Sequence, residues 1–334
     1  MERNELLERI KGCLIGCAYG DAMGMPSEMM KPELIKELFP DGISKLEPST
    51  SRDFIGRRFK AGEVTDDTVN TILLCESIIQ NQGDFDVYKY IDALLKWVEE
   101  NGDKNPYIIG PNTAKALKAI KEGADIKETG KFATTNGSAM KVSPIGIIYN
   151  YQNENELIDK VESLCMPTHN TSIAISAAAA IAACVSYAIR GGKDTSVLWT
   201  LAMDFSEKAK RRGNQLPSAS IKERMLYLEK DLQMLGEKEL IEKMQKFYGT
   251  GMEAIETVPA VMTLIRLTDG DPIKTARLSA NLGGDTDTIG AIAVAICSAM
   301  YPIKDQTIIN TLERVNNVDF DEIALKLLPY VRIQ

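Results

Sequence analysis

The chain has 334 residues, 44% of them hydrophobic, with 39 Lys and Arg against 47 Asp and Glu for a formal net charge of −8. A chain of this length buries a sizeable core as one large domain or two ordinary ones, and its acidic balance argues against nucleic acid as the main partner. Met1-Glu-Arg-Asn-Glu5 lacks the basic-then-apolar order of a signal peptide, and no stretch reads as about 18 uninterrupted membrane-spanning residues.

The six cysteines form no Cys-x-x-Cys pair. The expectation is therefore a cytoplasmic protein, off the membrane, with free and buried thiols.

Glu5 to Met23 reads as a helix in which Gly12, Gly16, Gly20 and Gly24 recur every four residues. That spacing lines the glycines along one face, where a second helix backbone can approach closely. Asp21 inside the pattern argues against a membrane-dimer stripe. Gly24, Pro26 and Glu28 then end the helix in a turn that carries a carboxylate.

Residues 29–64 hold Pro32, Pro40 and Pro48 without a sustained period and are expected to be irregular. Gly62-Glu-Val-Thr-Asp-Asp-Thr68 opens a helical run, Val69 to Gln80, with Thr65 or Asp66 as N-cap. Carboxylates at a helix start are favoured by about 0.3–1 kcal/mol each, so ordinary capping accounts for Asp66 and Asp67 as readily as a site does.

Asp86–Glu99 and Asn112–Lys121 read as amphipathic helices. Asn136–Gly146 is a loop entering another small-residue helix, and its amides with the Ser138 hydroxyl suit a phosphate. His169, the one histidine, stands before an Ala-rich helix, Ile173–Ile189, where it either hydrogen-bonds at the helix mouth or faces a ligand. Residues 191–250 are more polar and read as peripheral helices with a loop near Arg212–Pro217. Ala254–Leu267, Ile273–Leu282 and Ile289–Met300 are core-type helices, and 306–315 and 320–330 close the chain. With no recurring strand alternation and no repeat, the expected fold is all-α, a compact multi-helix bundle forming a single domain over 1–334.

The densest chemistry lies in Asn281-Leu-Gly-Gly-Asp-Thr-Asp-Thr-Ile-Gly290. Asp287 or Thr288 is expected to cap the apolar helix that follows. That helix has almost no polar residue and should be buried on all sides, and carboxylates at its mouth are costly without a cation or ligand. A calcium loop of the EF-hand type fails, because its fifth and twelfth positions hold Ile289 and Ile296. A haloacid-dehalogenase-type Asp-x-Asp-x-Thr would end an apolar strand near the start of an α/β domain, whereas a helical segment precedes it here.

The remaining reading pairs Asp285, Asp287 and Thr288 with Thr65, Asp66 and Asp67 across the bundle. Hard oxygen ligands without Cys or His select Mg²⁺, Mn²⁺ or Ca²⁺. Four carboxylates suit two cations sharing a bridging aspartate, with Glu28 as a fifth carboxylate.

Five stretches, in order, make the whole chain resemble the ADP-ribosylglycohydrolases, the family that includes the dinitrogenase reductase-activating glycohydrolase. They are Gly12–Glu28 (GCLIGCAYGDAMGMPSE), Gly62–Thr68 (GEVTDDT), Asn136–Gly146 (NGSAMKVSPIG), Thr168–Thr171 (THNT) and Gly283–Gly290 (GGDTDTIG). The resemblance implies a compact orthogonal bundle of helices and a centre of two Mg²⁺ ions, sometimes Mn²⁺. Its ligands would fall on Thr65, Asp66, Asp67, Asp285, Asp287 and Thr288, with Glu28 beside or bound to the metals.

The resemblance also places Asn136, Gly137, Ser138 and His169 on the phosphate and adenosine side of the ligand. The implied reaction is hydrolysis of an N- or O-glycosidic bond at the anomeric carbon of ribose, in an ADP-ribosylated protein or a small ribosyl substrate. Glu28, Asp66 and Asp67 would position the water and move its proton. A metal-dependent nucleoside or nucleotide N-glycosidase and an inactive ADP-ribose-binding member are the alternatives. Two stretches depart from the family pattern. Phe132-Ala-Thr-Thr135 stands in place of a richer glycine loop, and Asn105–Thr113 (NPYIIGPNT) lacks an aspartate that some members carry.

Overall fold

A computed structural model describes residues 2–102 and 108–333, so part of the Asn105–Thr113 stretch lies outside the described residues. The four-residue glycine spacing has a direct structural result. The Arg3–Gly24 helix runs antiparallel to the Thr286–Met300 helix with their backbones in contact. A Cβ on Gly12 would lie 2.3 Å from Ser298 O, one on Gly16 2.4 Å from Val294 O, one on Gly20 2.1 Å from Gly290 O and one on Gly24 2.2 Å from Thr286 O. No side chain fits at any of the four turns, so glycine is required for the approach.

Beside this pair lies the Ser172–Ile189 helix, against which Thr195–Ala209, Ser143–Ile148, Glu154–Cys165 and Ala254–Leu267 pack. Its 18 residues have a mean hydropathy of 2.0, so by length and composition it could cross a membrane, contrary to the sequence expectation; 94% of it is buried inside this protein. Alanines along it let neighbouring helices come close. Ile175, Ile181 and Val185 are fully buried, each side chain stabilising by about 1.5–3 kcal/mol relative to exposure. It is a core helix.

The architecture is all-α, as expected, and no strand is assigned among the described residues. Isolated bridges join Met30 to Gly284, Thr135 to Glu253 and Thr171 to Asn214. The segment 29–64 departs from expectation by containing a short helix, Pro32–Leu38. Pro32 presets its first turn and Ile35 anchors it to the core. All six cysteines are buried and unpaired.

Candidate active site

The glycine contact carries the turn after the first helix to the mouth of the Thr286–Met300 helix. Met29 N donates to Gly284 O at 2.7 Å, Gly284 N to Met30 O at 3.0 Å, and Thr286 Oγ1 to Gly24 O at 2.8 Å. Gly284 has φ +85°, and a Cβ there would lie 2.2 Å from Thr250 O. Asp285 holds the N-cap position, not Asp287 or Thr288, and makes no side-chain cap. The reason is that its carboxylate is engaged elsewhere: Asn136 Nδ2 donates to Asp285 Oδ2 at 2.5 Å.

The Asp66–Gln80 helix starts in the same way. Thr65 is its N-cap residue but its side chain does not cap. Instead, the Thr65 hydroxyl lies 2.9 Å from Asp21 Oδ1, 3.1 Å from Asp67 Oδ2 and 3.4 Å from Asp287 Oδ2. Asp21 supplies the cap from the neighbouring helix. It accepts from Thr65 N at 3.0 Å, from Thr68 N at 3.1 Å and from Thr68 Oγ1 at 2.6 Å. Capping by Asp21 leaves Asp66 and Asp67 free of that duty, so ordinary capping is not what these two residues do. Asp21 was not among the sequence candidates. Its signal was the single charge within the glycine-spaced stretch from Gly12 to Gly24, a charge that proves to be buried.

Glu28, Asp285 and Asp287 offer oxygens that all lie within 4.8 Å of one another. Thr288 Oγ1 lies 3.3 Å from Asp67 Oδ2, while Asp67 Oδ1 is buried without a hydrogen-bond partner. Burial, followed by the charge of Asp287, pushes the Glu28, Asp67 and Asp285 carboxyls well above the usual range. The same two causes raise Asp21 and Asp66 to about 7. An oxygen-only donor set with mutual repulsion and an orphaned acceptor fits hard divalent cations. Glu28, Asp66, Asp285, Asp287 and Thr288 face the cavity above the cluster, and Thr65 and Asp67 stand behind them.

That cavity has a volume of about 350 Å³. Thr135, Asn136, Gly137 and His169 form part of its wall. His169 Nε2 lies 3.1 Å from Thr135 Oγ1 and Nδ1 2.9 Å from Thr168 Oγ1. Burial, with Lys141 nearby, pushes His169 down to about 3, so the ring is neutral at pH 7. A Cβ at Gly137 would lie 2.6 Å from His169 Cε1, which explains the glycine. The following helix is capped by Thr171, which accepts from Ala174 N at 3.2 Å. Ser138 is fully buried behind the cavity wall, with no hydrogen-bond partner for its hydroxyl.

An all-α bundle of this kind is the ADP-ribosylglycohydrolase type of fold. A solved structure described as an ADP-ribosylglycohydrolase-related protein complex matches 98% of this chain and 100% of its own, with a TM-score of 0.69 at 23% identity. The chain belongs to the ADP-ribosylglycohydrolase family, whose model matches residues 2–330. It is similar to the uncharacterized protein YegU of Escherichia coli K12, at 34% identity over 97% of each chain. It is also similar to the ADP-ribosylarginine hydrolase Tri1 of Serratia proteamaculans, 25% identical over 89% of this chain and 73% of the relative. The human ADP-ribosylhydrolase ARH3 is 26% identical over 88% of this chain and 86% of its own.

Proposed function

We propose that this chain is a Mg²⁺-dependent hydrolase that cleaves an N- or O-glycosidic bond at the anomeric carbon of ribose, in an ADP-ribosylated protein or an ADP-ribose derivative. The observation that carries the reading is the convergence of Glu28, Asp66, Asp285, Asp287 and Thr288 on one cavity, with Thr65 and Asp67 directly behind. Two relatives whose names specify ADP-ribosyl hydrolysis support the substrate class.

Thr65, Asp66, Asp67, Asp285, Asp287 and Thr288 would hold two Mg²⁺ ions, with Mn²⁺ an acceptable substitute. When bound, such cations would neutralise the carboxylates and supply Lewis-acid chemistry to the ribose and to a nearby water. Glu28 and Asp66, both on the cavity wall, would take the proton of the attacking water, with Asp67 adjusting the charge behind them. The developing positive charge on the ribose faces the same carboxylates. Asn136 fixes the direction of Asp285, and Gly137 and His169 line the path of the remaining ligand.

The apolar side chains of Met29, Phe54, Ile55 and Met252 on the same cavity favour a second reading, a nucleoside or nucleotide N-glycosidase accepting a planar base. Incubation with ADP-ribosylated protein and with free nucleosides, followed by assay of the released sugar, separates the two. Calorimetric titration of Mg²⁺ into Asp287→Ala tests the centre itself. Binding unchanged from wild type would remove Asp287 from it. Mg²⁺ binding without turnover on any ribosyl substrate would instead identify an inactive binding member.

A further inference from the structure

Ser49–Phe59 forms a loop closed at its base. Ser49 N donates to Phe59 O at 3.0 Å, and Phe59 N donates to Ser49 Oγ at 2.8 Å. A segment of this length whose ends meet is an Ω-loop, a form of loop often used in function. Its interior is wired by Asp53. Oδ1 accepts from Ile55 N at 3.0 Å and from Arg57 N at 2.9 Å, and Oδ2 accepts from Arg57 Nε at 2.9 Å. With Nε fixed by Asp53, the far nitrogen of the guanidinium, Nη2, leaves the loop and donates to Glu28 Oε2.

The side chains of Arg57, Asp53 and Glu28 are 1%, 2% and 11% exposed. This is a buried fork between two carboxylates and not a surface ion pair. The loop's tip shows the opposite character. Phe54 and Ile55 are 72% and 40% exposed and line the mouth of the cavity. Glu28 meanwhile faces Asp285 and Asp287 on its other side, where their oxygens crowd within 4.8 Å. Without a cationic partner its carboxylate is driven away from the cluster.

We infer that Arg57 is a positioning residue. Its guanidinium sets the direction of Glu28 at the cavity and, through the same contact, holds Phe54 and Ile55 at the mouth. The catalytic carboxylate and the apolar rim are thus placed together. Arginine is needed because its planar fork reaches both carboxylates at once, whereas a lysine ammonium presents a single point charge. The effect on turnover rests on the glycohydrolase reading, while the latch stands on the geometry of the chain alone.

The latch is tested on the full chain, with no metal or substrate added, by the rate of chymotryptic cleavage at Phe54. Arg57→Gln and Glu28→Gln are each expected to speed cleavage roughly fivefold, and the double variant no more than the faster single, because both break one contact. Wild-type cleavage rates in the singles, or multiplying effects in the double, would overturn the latch. If Arg57→Gln does not fold, Arg57→Lys, whose ammonium cannot reach both carboxylates, takes its place in the cycle with the same expectation. With a ribosyl substrate and Mg²⁺, Arg57→Gln is expected to lower kcat by about tenfold or more with a smaller change in KM, and Arg57→Lys not to restore it. An unchanged kcat beside an active wild type would overturn the positioning role. An inactive wild type would overturn the glycohydrolase reading and leave the cleavage cycle to decide the latch.

Discussion

Asp21 holds Thr65 across 44 residues of chain, with Thr65 N donating at 3.0 Å to both carboxylate oxygens. One buried carboxylate thereby fixes the start of the helix that bears Asp66 and Asp67. Asp21→Asn keeps the shape but replaces one acceptor oxygen with an NH₂ group, leaving donors of Thr65 and Thr68 unsatisfied. The expected cost is about 1–3 kcal/mol in urea unfolding, with Mg²⁺ affinity lowered by about 10–100-fold, as for other partners that orient metal ligands. Calorimetry reads the second effect. Affinity equal to wild type would show that the cap and the metal centre are independent.

The charge of Asp287 raises the pKa of five neighbouring carboxyls. Without added cation, Asp287→Asn should therefore stabilise the chain, by on the order of 1 kcal/mol. Wild type should instead gain about 2.7 kcal/mol when Mg²⁺ is present at 100 times its Kd, and the variant should gain far less. Thermal melts with and without Mg²⁺ distinguish the cases. A variant destabilised in the absence of Mg²⁺ would contradict the repulsion.

His169 gives a pH signature. Its pKa falls from 6.5 to about 3 on folding, so below 6.5 the unfolded chain takes up a proton that the folded ring refuses. Its contribution to stability is complete above pH 6.5 and declines toward pH 3, by up to about 1.4 kcal/mol per pH unit. His169→Gln removes this dependence, and its stability curve over the same window should be flatter by that slope. Parallel curves would mean that the folded ring titrates normally.

Gly20→Ala places a methyl 2.1 Å from Gly290 O, where only backbone could give way. The expected loss is about 3 kcal/mol or more in denaturant unfolding. Gly102→Ala, with no heavy atom within 4 Å of the added Cβ and outside any helix, is the control and should stay within about 0.5 kcal/mol of wild type.

The features most legible in the sequence were those with short-range spacing. The glycines from Gly12 to Gly24 announced a close helix contact, and Asp66, Asp67, Asp285 and Asp287 announced acidic helix mouths. At the first mouth Thr65 holds the expected N-cap position but its hydroxyl turns to Asp21, and at the second the position falls on Asp285, engaged by Asn136, and not on Asp287 or Thr288; no local pattern reveals these partners. Arg57 was not legible at all. It lies in a stretch without periodicity, and its partner Glu28 is 29 residues away. The Ser172–Ile189 helix shows a different limit, since composition alone does not distinguish a helix surrounded by protein from one surrounded by lipid.

Thr286 and Gly24 are in contact although 262 residues separate them. The Arg3–Gly24 helix therefore leaves the ribosome long before the Thr286–Met300 helix that fills its grooved face. Until that partner emerges, the groove stays open. Closing so long a loop is slow relative to local helix formation, which makes docking of the Thr286–Met300 helix a late step and leaves its apolar groove exposed in the meantime. The same event that completes the core also brings Asp285 and Asp287 to Glu28, so the acidic cluster exists only in the fully folded chain.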